Sequence, residues 1–252
     1  MEKKLLITVL LMGLSTVAGT AAGLLFRKIP DRFYAVIPGM SAGIMLGSAI
    51  LGLILPSVRT AGAADILLSL AGVASGSVLL STLDRVVPHL HRLAGLDREK
   101  HPDRRGADRV LLFIAAIAIH KLPEGLASGV SFGTGNEADI LTVAGGITLQ
   151  NIPEAMAVAA PLLSIGVSVA RTMAFSLLTG MLAMFGTAGG YLFVAAAGVL
   201  TPFFLGFAGG SMLYVVSDEM IPETHSRGKE KPATFALIAG FMLIAALQKL
   251  LQ

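Results

Sequence analysis

The sequence contains no cysteine and little charge. Without Cys there can be no disulfide, no thiolate metal ligand and no cysteine nucleophile, so any metal site must use His, carboxylate, amide or Met sulfur. Charged residues make up 14% of the 252-residue chain, where soluble domains carry about a quarter, and 54% of residues are hydrophobic. The few charges are unevenly spread, because uncharged apolar stretches of about twenty residues recur, the length that crosses the hydrocarbon core of a bilayer. These shortages exclude a secreted disulfide scaffold, a disordered protein, a coiled coil and a nucleic-acid-binding domain, whose basic residues cluster on a folded soluble surface. What is left is a polytopic membrane protein.

Apolar runs bounded by charge, Pro or Gly fall near 5–25, 35–57, 64–83, 110–132, 139–163, 170–195, 202–223 and 233–251. They predict an all-α fold of eight transmembrane helices in a single domain over 1–252, with a cytoplasmic loop at about 84–109. The first run follows Lys3 and Lys4 as a secretory signal would, but it continues to Arg27 without a clear cleavage boundary and is read as a helix. The second, fourth, fifth and seventh spans carry Pro56, Pro123, Pro153 and Pro222. Bilayer helices tolerate such prolines only where neighbours re-satisfy the freed carbonyls, so these four are expected to lie innermost. With the N-terminus outside, fourteen basic residues fall on the inner side and four (Lys3, Lys4, Arg59, Lys249) on the outer side. Both termini are therefore expected to face away from the cytoplasm of an inner cell membrane, with membrane lipids as neighbours.

The loop holds His89, His91 and His101. It reads either as a flexible linker anchored by basic residues or as a weak metal-collecting segment. A short echo links Gly43–Leu46 and Pro56 in the second span with Gly210–Leu213 and Pro222 in the seventh. Such an echo fits an inverted repeat of helices 1–3 and 6–8 around helices 4 and 5, an arrangement of secondary transporters.

The chemistry sits in the two middle spans. One reads His120-Lys121-Leu122-Pro123-Glu124-Gly125 and the other Gln150-Asn151-Ile152-Pro153-Glu154-Ala155, thirty residues apart. In each, a nitrogen- or oxygen-bearing side chain precedes Glu by four residues and so shares its helix face. Pro123 and Pro153 free the carbonyls of Ile119 and Leu149 and loosen each helix beside these groups. Ionisable side chains deep in a bilayer cost about 2.5 to 3.5 kcal/mol each on insertion scales, and a bound cation is one way to offset that. His120, Glu124, Gln150 and Glu154 form a mixed nitrogen and oxygen set suited to a divalent transition metal. Taken singly, His120 could be a hydrogen-bonded structural residue and Glu124 a partner for Lys121.

These motifs resemble those of the ZIP (Zrt/Irt-like protein) family of divalent metal transporters, in its bacterial GufA-like branch. The family's fourth helix carries His-Asn-x-Pro-Glu-Gly and its fifth a related x-x-x-Pro-Glu motif. Asp218-Glu219-Met220-Ile221-Pro222-Glu223-Thr224-His225 is similar to the acidic end of its seventh helix. The resemblance implies a binuclear metal centre halfway through the membrane, uptake of metal toward the cytoplasm, and a homodimer; no enzymatic activity is expected. The metal, zinc or alternatively cadmium, iron or manganese, would be substrate and not a catalytic cofactor. Matched position by position, His120, Glu124, Gln150 and Glu154 fall on the family's first metal site. Met45 would add a thioether there, or else simply pack between helices.

Two departures bear on mechanism. The family's Asn after the motif His is Lys121 here, and the sixth span, Thr179 to Gly186, lacks the carboxylate that often serves a second metal. Lys121 is therefore expected to replace the second ion, its ammonium set against Glu124 and Glu154, with Asn151 in the same second-site region. Because ligands must be deprotonated, metal affinity is expected to weaken in acid. Asp218, Glu219, Glu223 and His225 read as an exit relay or as an interfacial helix end, and Asp65 as a helix-start residue. The rival functions are an intramembrane zinc hydrolase, which would lack the His-Glu-x-x-His motif, and a proton-coupled carrier of an organic solute. No nucleic-acid partner is expected.

Overall fold

A computed structural model describes residues 2–25, 33–59, 62–93, 120–164, 166–225 and 230–252. Among these residues the chain forms eight helical rods and no strand. They are α1 (Glu2–Leu25), α2 (Phe33–Gly47, continued by Ser48–Ile54 and Leu55–Arg59), α3 (Ala63–Leu93) and α4 (120–130, then a 3₁₀ turn Ser131–Thr134). The others are α5 (Glu137–Ser164), α6 (Val169–Ala196), α7 (Thr201–Val215, continued by Val216–Met220 and Ile221–His225) and α8 (Glu230–Leu251).

Six of the eight, α1, α2, α3, α6, α7 and α8, are long and apolar enough to cross a membrane. The 28 residues of α5 have the length, but Gln150, Asn151 and Glu154 interrupt its apolar run. The third helix continues to Leu93, past the end at 83 expected from hydropathy. Charge sets where a span leaves hydrocarbon, whereas a helix persists until its backbone meets a stop signal. His89 and His91 therefore lie on helical backbone, and His101 lies outside the described residues.

Turn chemistry sets how α4, α5 and α6 follow one another. Gly135 adopts φ +65, a left-handed conformation that a Cβ would strain, and Asn136 then accepts from the Ala138 N–H at 2.8 Å to start α5. At the far end Gly166, at φ +88, closes α5 with paired bonds from Gly166 N–H to the Leu163 carbonyl and from Val167 N–H to the Leu162 carbonyl, both 3.0 Å. Ser168 accepts from the Arg171 N–H and caps α6.

The helices pack in two groups. In one, α1 lies along α5 and α6, and α4 meets α6 where Gly125 faces the Ala183 carbonyl. In the other, α2 pairs with α8 and α3 with α7. The groups meet where α2 and its continuation cross α5. Among the six apolar rods α2 and α7 are the most enclosed, with 61% and 50% of their spans buried against 22% for α3 and α8. That placement agrees with the inner position expected of proline-bearing helices.

Both of these rods pass through π-helical turns, Ser48–Ile54 in α2 and Val216–Met220 in α7, just before a proline. The widened register is visible in Leu55 N–H bonding the Ile50 carbonyl and Ile221 N–H bonding the Val216 carbonyl. In that register Pro56 and Pro222, which carry no N–H, leave open the carbonyls of Leu51 and Ser217.

Candidate metal centre

Adjacent residues on a helix point about 100° apart, and His120 and Lys121 at the start of α4 take different partners. Lys121 turns into its own helix group. Its Nζ donates to Glu124 Oε2 at 2.7 Å, Asn151 Oδ1 at 2.8 Å and Glu154 Oε2 at 2.9 Å. All three ammonium protons are thereby used, and the side chain is only 2% exposed. Glu124 is equally buried and receives a second bond from Gln150 Nε2 at 3.3 Å. The other atom of that amide, Gln150 Oε1, is buried without a partner among the described residues.

Asn151 is itself fixed from α1. Its amide donates to Ser15 Oγ at 3.2 Å and lies 3.5 Å from the Met12 carbonyl, which orients its oxygen toward the ammonium. The hydroxyls of Thr16, Thr20, Thr172, Ser176 and Thr179 continue from there along a pocket between α1, α5 and α6 that begins at Lys121 and Glu154. This pocket was not expected from the sequence. Its legible sign was the Ser15, Thr16, Thr20 spacing, which puts hydroxyls on one face of an apolar helix.

His120 turns to the other group. Its Nε2 lies 2.7 Å from Glu219 Oε1 in the π-helical part of α7. Glu219 was expected in an exit relay or an interfacial helix end, and its contact with the motif histidine is a tertiary fact. Neighbouring Asp218 accepts from the Tyr214 hydroxyl at 3.2 Å. His225 is held by the Ile221 carbonyl at 2.8 Å and by Thr234 at 3.0 Å. Glu223 lies on the helical backbone between them, its side chain outside the described residues.

The predicted residues are thus gathered only in part. Glu124, Gln150 and Glu154 converge with Lys121 and Asn151, while His120 engages Glu219. Met45 lies in the apolar core with Met212, Leu53 and Val215. Among the described residues no three His, Asp or Glu side chains form a ready metal-ligand group. Asp65 accepts from the Gly62 N–H at 3.3 Å at the start of α3, as a helix-start carboxylate does.

A buried lysine held by two proline-helix glutamates, with a motif histidine one residue before it, is the arrangement against which relatives can be weighed. The family described as ZIP Zinc transporter matches residues 86–248. The chain belongs to that ZIP family. It is 36% identical to Zinc transporter GufA of Myxococcus xanthus over 248 residues, covering 96% of each chain. It is also 36% identical to Zinc transporter ZIPB of Bordetella bronchiseptica over 91% of this chain and 75% of that one. Zinc transporter ZupT of Chlorobium luteolum is 35% identical over 95% of both chains. ZIP proteins are transporters and not enzymes, so the hydrolase reading falls. In this ZIP protein the family match runs from the end of α3 into α8, and includes every charged residue of the buried cluster.

Proposed function

We propose that this ZIP protein carries a divalent transition metal, zinc foremost and also cadmium, iron or manganese, toward the cytoplasm through one site between α4 and α5. His120, Glu124, Gln150 and Glu154 are the ligands, with Met45 as a thioether at its edge. The observation that carries the reading is the position of Lys121 Nζ, within 2.9 Å of Glu124, Asn151 and Glu154. Two neighbouring carboxylates without a cation repel and take up a proton. A tethered ammonium holds them ionised, in the place of a second metal ion.

Binding requires His120 to leave Glu219 and turn toward Glu124, four residues on along its own face. The unpartnered Gln150 Oε1 supplies a further oxygen. Because Glu219 already reaches His120, it is well placed to receive the ion, with Asp218 beside it and Glu223 and His225 beyond it toward the cytoplasm. The excess of Arg and Lys on one side supports outward termini in an inner cell membrane. Proline after a π turn in both α2 and α7 supports eight spans with an inverted repeat of helices 1–3 and 6–8. The chain works as a homodimer.

The test is uptake of radioactive zinc by proteoliposomes, with Glu124→Ala and Glu154→Ala beside the intact chain and cadmium, manganese and iron as competitors. Uptake lost in both variants supports the reading. Uptake retained in both overturns it. Metal counting provides a second arm: one zinc per chain is expected, rising to two in Lys121→Asn, and two in the unaltered protein would defeat the role of Lys121.

A further inference from the structure

On the exposed side of the first helix group a groove of about 690 Å³ runs between α1, the turn after α4, and α5. Its walls are apolar side chains such as Leu11, Leu141 and Ile152, each more than a third exposed. Its floor is open at Gly145, where an added Cβ would meet no atom of the described residues within 4 Å. One end is marked by a single ion pair, Lys4 Nζ to Glu137 Oε1, with both side chains more than half exposed. The other end reaches Leu149 and Ile152, which flank Gln150 and Asn151 on α5.

We propose that this groove binds one phospholipid with a zwitterionic, primary-ammonium headgroup, as in phosphatidylethanolamine. Length is the first argument. From Glu137 to Ile152 the helix advances fifteen residues, about 22 Å at 1.5 Å per residue. One leaflet, with half of a ~30 Å hydrocarbon core and its headgroup layer, measures about 20 to 22 Å. The groove is therefore one lipid long, polar at the interface and apolar toward the middle of the bilayer.

Charge is the second argument, and it chooses the head. Lys4 and Glu137 at the rim cancel, so an anionic head gains nothing from Lys4 that Glu137 does not oppose. A phosphate beside an ammonium matches the pair twice: the phosphate accepts from Lys4 and the ammonium donates to Glu137. A choline head has no N–H to donate and satisfies only one of the two.

The experiment uses the full chain reconstituted in an equimolar mixture of phosphatidylethanolamine, phosphatidylglycerol and phosphatidylcholine, then released into mild detergent for native mass spectrometry. One retained phosphatidylethanolamine per chain is expected, favoured about fivefold over phosphatidylglycerol, the ratio given by one lysine-sized interfacial interaction. Gly145→Trp fills the floor and removes the retained lipid. Glu137→Lys, on an exposed position that leaves packing intact, shifts the preference to phosphatidylglycerol and keeps the test decisive if the tryptophan variant does not fold. Equal retention of the three heads overturns the proposal. So does lipid retained unchanged in a folded Gly145→Trp, and so does a dimer lost in that variant with retained lipid unaltered, which would assign the groove to a second copy of the chain.

Discussion

Gln248 on α8 fills the carbonyl that Pro56 leaves open on α2: its Nε2 donates to the Leu51 oxygen at 2.9 Å. The same amide lies 3.3 Å from Asp139 Oδ1 at the start of α5, which is only 3% exposed. One side chain from the last helix thus closes the backbone of the second and ties it to the helix that carries Gln150 and Glu154. Inside a membrane an unsatisfied carbonyl finds no water, which gives a buried glutamine near the end of an apolar helix its physical reason.

Gln248→Leu is expected to lower stability by about 1 to 3 kcal/mol, the usual cost of orphaning a buried acceptor. Thermal unfolding in detergent measures it. Pro56→Ala supplies a backbone donor of its own, so the double variant should lose less than the sum of the singles. Strict additivity would mean that the Leu51 carbonyl is not what Gln248 satisfies.

Lys121→Met leaves Glu124 and Glu154 facing each other without a cation. Breaking a buried pair in this way costs about 3 to 5 kcal/mol, and added zinc should raise the melting temperature more in the variant than in the unaltered protein, because the metal takes over the missing charge. A melting temperature untouched by the substitution would show that the ammonium carries no structural charge balance.

Glu219→Ala removes the hydrogen-bond partner of His120, which the proposed function requires the imidazole to leave before it binds metal. Zinc should bind about tenfold more tightly, as expected from losing one charge-assisted hydrogen bond to a ligand. Competition against a chelator of known affinity reads this directly. Weaker binding instead would make Glu219 a ligand in its own right.

Gly125→Leu places side-chain atoms against the Ala183 backbone where α4 and α6 touch, so the protein should fail to elute as a single species. Gly189→Ala, on the same α6 but facing open space, should be neutral or stabilising by up to about 1 kcal/mol. If both behave alike, close approach of α4 and α6 is not what holds the site helix.

Much of this protein was settled by its sequence. Scarce charge and recurring apolar runs specify a helical membrane protein, because hydrocarbon admits only segments that satisfy their own backbone. The duplicated Pro-Glu motifs placed Glu124 and Glu154 each on one face with the residue four before it, because spacing by four fixes a shared face whatever the surroundings. The replacement of asparagine by Lys121 pointed to Glu124 and Glu154, and the ammonium sits between both. The tertiary structure alone decided the partners that come from distant helices: Glu219 for His120, Ser15 for Asn151, and Gln248 for the Leu51 carbonyl. Period and composition tell which face of a helix is polar. Which helix that face meets depends on how eight rods pack, and on π turns that no local pattern in this chain announced.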